Sequence, residues 1–246
     1  LEDEMLQGRV AVVTGGSGGI GTVLCRRLAA EGMAVAVHYR DRNEIAERIV
    51  AEIVDGGGRA VAIPADLLVP RAAELLIDAV EQELGPVDVL VANHGLAHKA
   101  GFDEVDAGAW DETMAINLRA PYLLARRVLP SMLDRGFGRI LFVSSVAAFT
   151  GGIVGPHYAA SKAGLHGLTH HLASRVAQAG VTVNAIAPAL IESTDMLPDD
   201  PGYLAGVVPI GRLGRPAEVA DMAIAMLRNE YLTSKVISLD GGLHPR

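Results

Sequence analysis

One cysteine, Cys25, is present in 246 residues, so no internal disulfide can form and a disulfide-held fold is excluded. That usage suits a reducing cytoplasm, and Cys25 reads as a small buried apolar group in the first helix. Positive charge is also short: the net charge is −8 and no basic run stands out, which gives no electrostatic reason to bind nucleic acid or an anionic membrane. The longest uncharged stretch, residues 140–161, is broken by Gly151-Gly152 and Gly155-Pro156 and carries several hydroxyls, so it does not read as a membrane span. Leu1-Glu2-Asp3-Glu4 is acidic without an apolar core, so no secretory signal is expected there. His166, His170 and His171 lack a Cys or carboxylate at ligand spacing, and no metal is expected. There is no internal repeat, low-complexity tract or linker, and the expectation is one domain over residues 1–246.

Half of the chain is hydrophobic, enough for one sizeable core. Short β-branched runs alternate with helical patterns throughout. Strands are expected at 9–14, 35–39, 60–64, 87–91, 138–143, 181–187 and 235–239, and helices at 43–54, 70–84 and 216–227, with Ile45, Ile49 and Ile53 at period four in the first of these. Residues 106–135 read as a long, mostly helical stretch with irregularities at Pro121 and Pro130. The pattern predicts an α/β fold: a single doubly wound Rossmann-type unit, with a parallel seven-stranded sheet and helices on both faces.

Two stretches carry chemistry. The first strand runs directly into Gly15-Gly16-Ser17-Gly18-Gly19-Ile20-Gly21 and then a helical pattern. Strand, glycine turn and helix make a phosphate-binding arrangement, because glycines let the backbone approach a pyrophosphate and a helix start offers free N–H groups. The second stretch follows Gly155-Pro156, where Tyr158 and Lys162 are four apart and share one helical face. The chain has five Tyr and only three Lys, which makes a chance pairing uncommon. A cation beside a phenol favours the phenolate; lowering a phenol by about two pH units would be worth roughly 2.7 kcal/mol of proton-transfer driving force. The spacing therefore predicts an acid–base pair.

Together these stretches resemble the short-chain dehydrogenase/reductase family over nearly the whole chain. Thr14-Gly15-x-x-x-Gly19-x-Gly21 matches the family's cofactor loop and Tyr158-x-x-x-Lys162 its catalytic pair, while Ser145 and Asn117 match its catalytic serine and asparagine, with Ser144 a weaker candidate. The resemblance implies hydride transfer between a nicotinamide cofactor and a carbonyl. Tyr158 would protonate the oxygen, Ser145 would position the carbonyl, Lys162 would hold the ribose, and Asn117 would anchor a proton-relaying water. It further implies cofactor contacts at Ser17, Ile20, Asp66, Leu67, Asn93, Gly95, Pro188 and Ile191, with Ser193 and Thr194 as rivals for the carboxamide. Ala92 and His94 depart from the family's Asn-Asn-Ala-Gly, and His94 is read as packing. Tyr39 stands where an NAD-binding acid would align and Arg40 follows it, both counted with Tyr158 and Lys162 among the expected cofactor contacts, with Arg42 nearby, so NADP (NADPH) is favoured; Asp41 keeps NAD possible.

Within the family the chain is most similar to 3-oxoacyl-(acyl carrier protein) reductases, through Tyr158-Ala-Ala-Ser-Lys-Ala-Gly164, Val181-Thr-Val-Asn-Ala-Ile-Ala-Pro188 and Gly211-Arg-Leu-Gly-Arg-Pro216. The expected substrate is a small-molecule or carrier-linked carbonyl, and the alternatives are an alcohol, polyol or steroid dehydrogenase and a cofactor-binding sensor without turnover. Loops at 96–104 and 195–208 should choose the substrate. Similar reductases place a longer, helical lid where this chain has only residues 197–208, and the two prolines and two glycines there disfavour a long helix, so a short cover over a relatively open site is expected. The helices from Asp106 and Gly155 are richer in Ala, Leu and Val than one buried face needs, and the resemblance, to proteins that bury such helices in a dihedral tetramer, implies a homotetramer, with a dimer as the alternative.

Overall fold

The computed structural model describes residues 5–194, 197 and 202–245. The acidic start at residues 1–4 lies outside the described residues, as do Pro198 and Pro201, on which the short cover partly rests.

Seven strands form one sheet: β1 (Val10–Thr14), β2 (Ala34–Tyr39), β3 (Arg59–Pro64), β4 (Val89–Ala92), β5 (Gly138–Val143), β6 (Val181–Pro188) and β7 (Val236–Leu239). All pairs are parallel and the order is β3-β2-β1-β4-β5-β6-β7. The chain winds outward from β1 to β3, then returns to lay β4 beside β1, so a switch point falls between β1 and β4, where open sheets of this kind bind ligands.

Alternation along buried strands supplies both faces. Val10 and Val12 of β1 join a core with Leu76 of α3 (Ala72–Glu83), Leu124 of α5 (Ala120–Arg135) and Leu165 of α7 (Pro156–Val176). Ala11 and Val13 face the other way, onto Leu24 of α1 (Gly19–Ala30), Ile49 of α2 (Asn43–Asp55) and Val219 of α9 (Pro216–Arg228). Cys25 lies in this second core, fully buried, and burial pushes its thiol up to about 12.

The stretch from Asp106 differs from the expectation. It forms α4 (Ala107–Met114), a π turn at Ala115–Arg119 and then α5, which continues through Pro130. The irregularity therefore lies just before Pro121. The Ala120 N–H donates to the Ala115 carbonyl, five residues back, and Pro121 has no N–H with which to restore the ordinary ladder. Among the described residues the remaining helical segments are short: α6 (Ala147–Thr150), α8 (Gly202–Ala205) and a 3₁₀ turn at Ala177–Ala179. Among the described residues, no helix is long and apolar enough to cross a membrane.

Candidate active site

A cavity of about 780 Å³ runs along the carboxyl edge of the sheet. Strand order sets its sequence of parts. Arg40 and Asp66 line it beyond β2 and β3, Gly15 and Asn93 at the switch point, and Ser145, Pro188 and Leu243 beyond β5, β6 and β7.

The glycine turn is held from several sides. Gly15 has φ +62°, and a Cβ there would come 2.9 Å from the His94 Cα, so both the backbone angle and the close approach require glycine. Asn93 donates from Nδ2 to the carbonyls of Thr14 and Gly15, each at 3.1 Å. His38 accepts the Gly15 N–H on Nδ1 at 3.0 Å and donates from Nε2 to the Ala65 carbonyl at 3.0 Å. Gly18, the N-cap of α1, makes no side-chain cap, so the helix start is left with free N–H groups beside a lining of Ser17, Gly18, Gly19 and Ile20. Gly21 is not part of the lining; a Cβ there would strike the Gly15 carbonyl oxygen, so it serves the packing of α1 on the turn. Bare backbone and an uncapped helix start fit a pyrophosphate, and the residues present fit a nicotinamide dinucleotide.

At the β2 end, Arg40 donates from Nε to Asp41 Oδ2 at 2.6 Å, and both residues line the cavity with Arg42. Asp66 accepts the Leu68 N–H on Oδ1 at 3.0 Å, with buried Leu67 beside it in the lining. Tyr39, expected among the cofactor contacts, is absent from that lining. Strand alternation turns it to the face of Val35 and Val37, where it packs on the second core.

Tyr158 and Lys162 meet on α7 as the spacing requires, 4% and 2% exposed. Lys162 donates from Nζ to the Val143 carbonyl at 2.8 Å, and Nζ lies 5.8 Å from the Tyr158 ring centre. The expected lowering of the phenol is not found. Burial raises Tyr158 above the usual tyrosine range, a hydrogen bond with Ser145 opposes the rise, and burial also brings Lys162 down to about 8. Ser144 also lines the cavity, but its hydroxyl is engaged, donating to the Lys162 carbonyl at 3.0 Å and pairing with His166 Nε2 at 2.8 Å. Asn117 is fully buried in the π turn: Oδ1 accepts the Leu96 N–H at 2.7 Å, and Nδ2 donates to the Leu96 carbonyl at 2.9 Å and to Ser161 Oγ at 3.1 Å. Gly95 and Ile116 join the lining around this centre.

Beyond β6, Pro188, Ile191 and Thr194 line the cavity, and Thr194 donates from Oγ1 to the Ile191 carbonyl at 2.8 Å. Ser193 is exposed with φ +56° and lies outside the lining, so of the two rivals Thr194 reaches the cavity. Most of the remaining wall is aliphatic, with Ile153, Leu190, Leu204, Val207 and Leu243, and His98 and Thr150 are its polar members. Leu243 is set there by a turn in which Asp240 accepts the Gly242 and His244 N–H groups at 2.9 and 3.0 Å, while His244 stacks on Phe149 at 5.0 Å.

Two histidines of the site were not assigned a part in it by sequence reasoning. His38 falls within an expected strand, and a polar side chain at the carboxyl end of an apolar strand is the signal that marks it. His94, expected to pack, is buried, lines the cavity, and is hydrogen-bonded through both ring nitrogens. Among the described residues, no three His, Cys, Asp or Glu side chains are placed to hold a metal.

Exchange of a hydride with a carbonyl needs a nicotinamide held beside a group that can give or take a proton. A braced pyrophosphate turn and a buried phenol in one cavity meet that need, as in the Rossmann-type NAD(P)-dependent oxidoreductases. The chain belongs to the short-chain dehydrogenase/reductase family: residues 9–201 match the family described as short chain dehydrogenase. It is 35% identical over 242 residues to the acetoacetyl-CoA reductase of Cupriavidus necator, covering 96% of this chain and 98% of that one. It is 35% identical over 244 residues to the 3-oxoacyl-[acyl-carrier-protein] reductase of Synechocystis, covering 97% and 98%. A blue fluorescent protein from a metagenomic library, solved in complex with NADPH, superposes with a TM-score of 0.90 at 38% identity, covering 97% and 98%. The protein is thus a short-chain NAD(P)-dependent oxidoreductase that interconverts carbonyls and alcohols.

Proposed function

We propose that the enzyme reduces a ketone, a 3-oxoacyl thioester or a similar carbonyl, to a secondary alcohol with NADPH. The observation that carries this reading is the buried Tyr158, hydrogen-bonded to Ser145 and beside Lys162 at the centre of the cavity. When bound, the cofactor supplies the hydride. Gly15, Ser17, Gly19, Ile20, Asp66, Leu67, Asn93, Gly95, Pro188, Ile191 and Thr194 hold it, with Gly21 keeping the turn in shape. Burial keeps the proton on Tyr158 Oη until the carbonyl oxygen can take it, Ser145 orients that oxygen, Lys162 holds the nicotinamide ribose, and Asn117 anchors the relay that returns the proton.

NADPH is favoured because Arg40 offers a planar guanidinium next to a position that carries no ribose-binding acid. The names of the acetoacetyl-CoA and 3-oxoacyl reductase relatives, and the aliphatic wall beyond the reaction centre, support an acyl substrate, carrier-linked or extended. The chain acts as one domain, in the cytoplasm, and as a homotetramer; a sedimentation mass near the 25.7 kDa monomer at micromolar concentration would contradict the last point. A panel of ketones and alcohols read at 340 nm with NADPH and NADH tests the assignment. Extended 3-oxoacyl thioesters are expected to show higher kcat/KM than acetoacetate esters, and a preference for polyol oxidation would replace this reading with that of a dehydrogenase.

A further inference from the structure

The π turn leaves a carbonyl in need of a donor. In its hydrogen-bond pattern each N–H reaches five residues back, and the Ala120 N–H takes the Ala115 carbonyl. The next carbonyl, that of Ile116, falls to residue 121, which is proline and has no N–H. Instead it accepts from His94 Nε2 at 3.0 Å, a side chain arriving from the loop after β4.

The other end of that imidazole is fixed as well. With Nε2 as donor, Nδ1 must be the acceptor of the neutral ring, and it takes the Thr14 hydroxyl at 2.7 Å. Thr14 Oγ1 in turn accepts the Asn93 N–H at 3.0 Å. Burial holds His94 neutral, down to about 3, which this donor–acceptor arrangement requires. One ring therefore joins the end of β1, where the glycine turn begins, to the residue preceding Asn117.

We propose that His94 is a positioning residue that supplies the hydrogen bond Pro121 cannot, fixing the π turn and with it Asn117 in register with the cofactor turn. Without that donor the part-buried Ile116 carbonyl would lose this partner, and the turn would relax to find another. Asn117 has no slack to absorb such a shift, since its side chain is tied to both backbone groups of Leu96 and to Ser161. The effect on turnover rests on the role proposed for Asn117; the effect on the turn itself does not.

The test is a double-mutant cycle between His94 and Pro121. His94→Ala is expected to lower kcat by about tenfold on the best substrate of the panel, with ketone KM changed less than about threefold. Pro121→Ala, which restores a backbone N–H, is expected to be near wild type alone and to recover at least about threefold of kcat in the His94→Ala background. Hydrogen exchange at residues 115–122 gives a readout free of turnover: faster in His94→Ala and slowed again in the double variant. Additive effects in both kcat and exchange overturn the proposal. Rescue of exchange without rescue of kcat keeps His94 as the anchor of the turn and removes Asn117 from the proposed chemistry. Should His94→Ala fail to fold, His94→Gln, which keeps a donor, is expected to retain exchange protection that His94→Leu loses; equal protection in those two variants overturns the proposal.

Discussion

A phenol kept from water holds its proton, and that is the state a proton donor needs before reaction. At Tyr158 burial raises the group while Ser145 stabilises the charged form through a hydrogen bond, so removing the hydroxyl removes a contact important to the transition state and little else. Tyr158→Phe is expected to reduce turnover by roughly 100-fold or more while NADPH affinity by fluorescence titration stays within about twofold. Unaltered turnover would assign the proton to another group. Arg40 acts at the other end of the cavity and only on binding: Arg40→Ala should erase most of a several-fold preference for NADPH over NADH, and equal affinities in the unmutated enzyme would end that idea. The four-residue spacing of Tyr158 and Lys162 was enough to place them together, because helix geometry alone decides it. The direction of the phenol shift was not legible, since it depends on how much water α6 and the 96–104 loop leave around the ring. Tyr39 packs on the second core for a related reason: an aligned position does not say which face of β2 its side chain takes.

Elements were legible where one signal dominated. Apolar runs placed all seven strands to within two residues at either end, and Pro216 marked the start of α9. The break between α4 and α5 was legible only as a proline effect, because locating it requires knowing which carbonyl the missing N–H abandons and which side chain from a distant loop replaces it. Two histidines beside the cofactor turn carry a linkage to pH. His38 and His94 each accept through Nδ1 and donate through Nε2, and burial lowers them to about 4 and about 3. Both sit below the unfolded value of about 6.5, so the unfolded chain binds more protons in this range. Their contribution is therefore complete above about pH 6.5 and is lost as pH falls through 6.5 toward 4. Thermal unfolding should show Tm falling over that window, and the fall should be shallower in His94→Ala. A His94→Ala curve parallel to the wild type would mean that other groups govern the acid limb.

For the whole molecule, strand order does the organising: the carboxyl ends of seven parallel strands form one edge, and the cavity along it passes from charged groups after β2 and β3 to an aliphatic wall after β6 and β7. The glycine turn and the Tyr–Lys pair could be read from the chain because each is local. The wall could not, because Ile153, Leu204 and Leu243 come from segments far apart in sequence and only the fold brings them together. The lone thiol lies under this edge. Cys25 is fully buried, a Cβ on Gly16 of the cofactor turn would meet its Sγ at 3.2 Å, and burial keeps it protonated. A thiol-specific dye can reach it only when the first helix and that turn open, so the labelling rate is a clock for opening events in the intact molecule. Saturating NADPH should slow the clock by a factor that rises with cofactor concentration, yielding an affinity without any substrate being turned over. Labelling that ignores cofactor would mean the turn opens as readily with its ligand as without, and that the brace formed by Asn93, His38 and His94 holds the turn by itself.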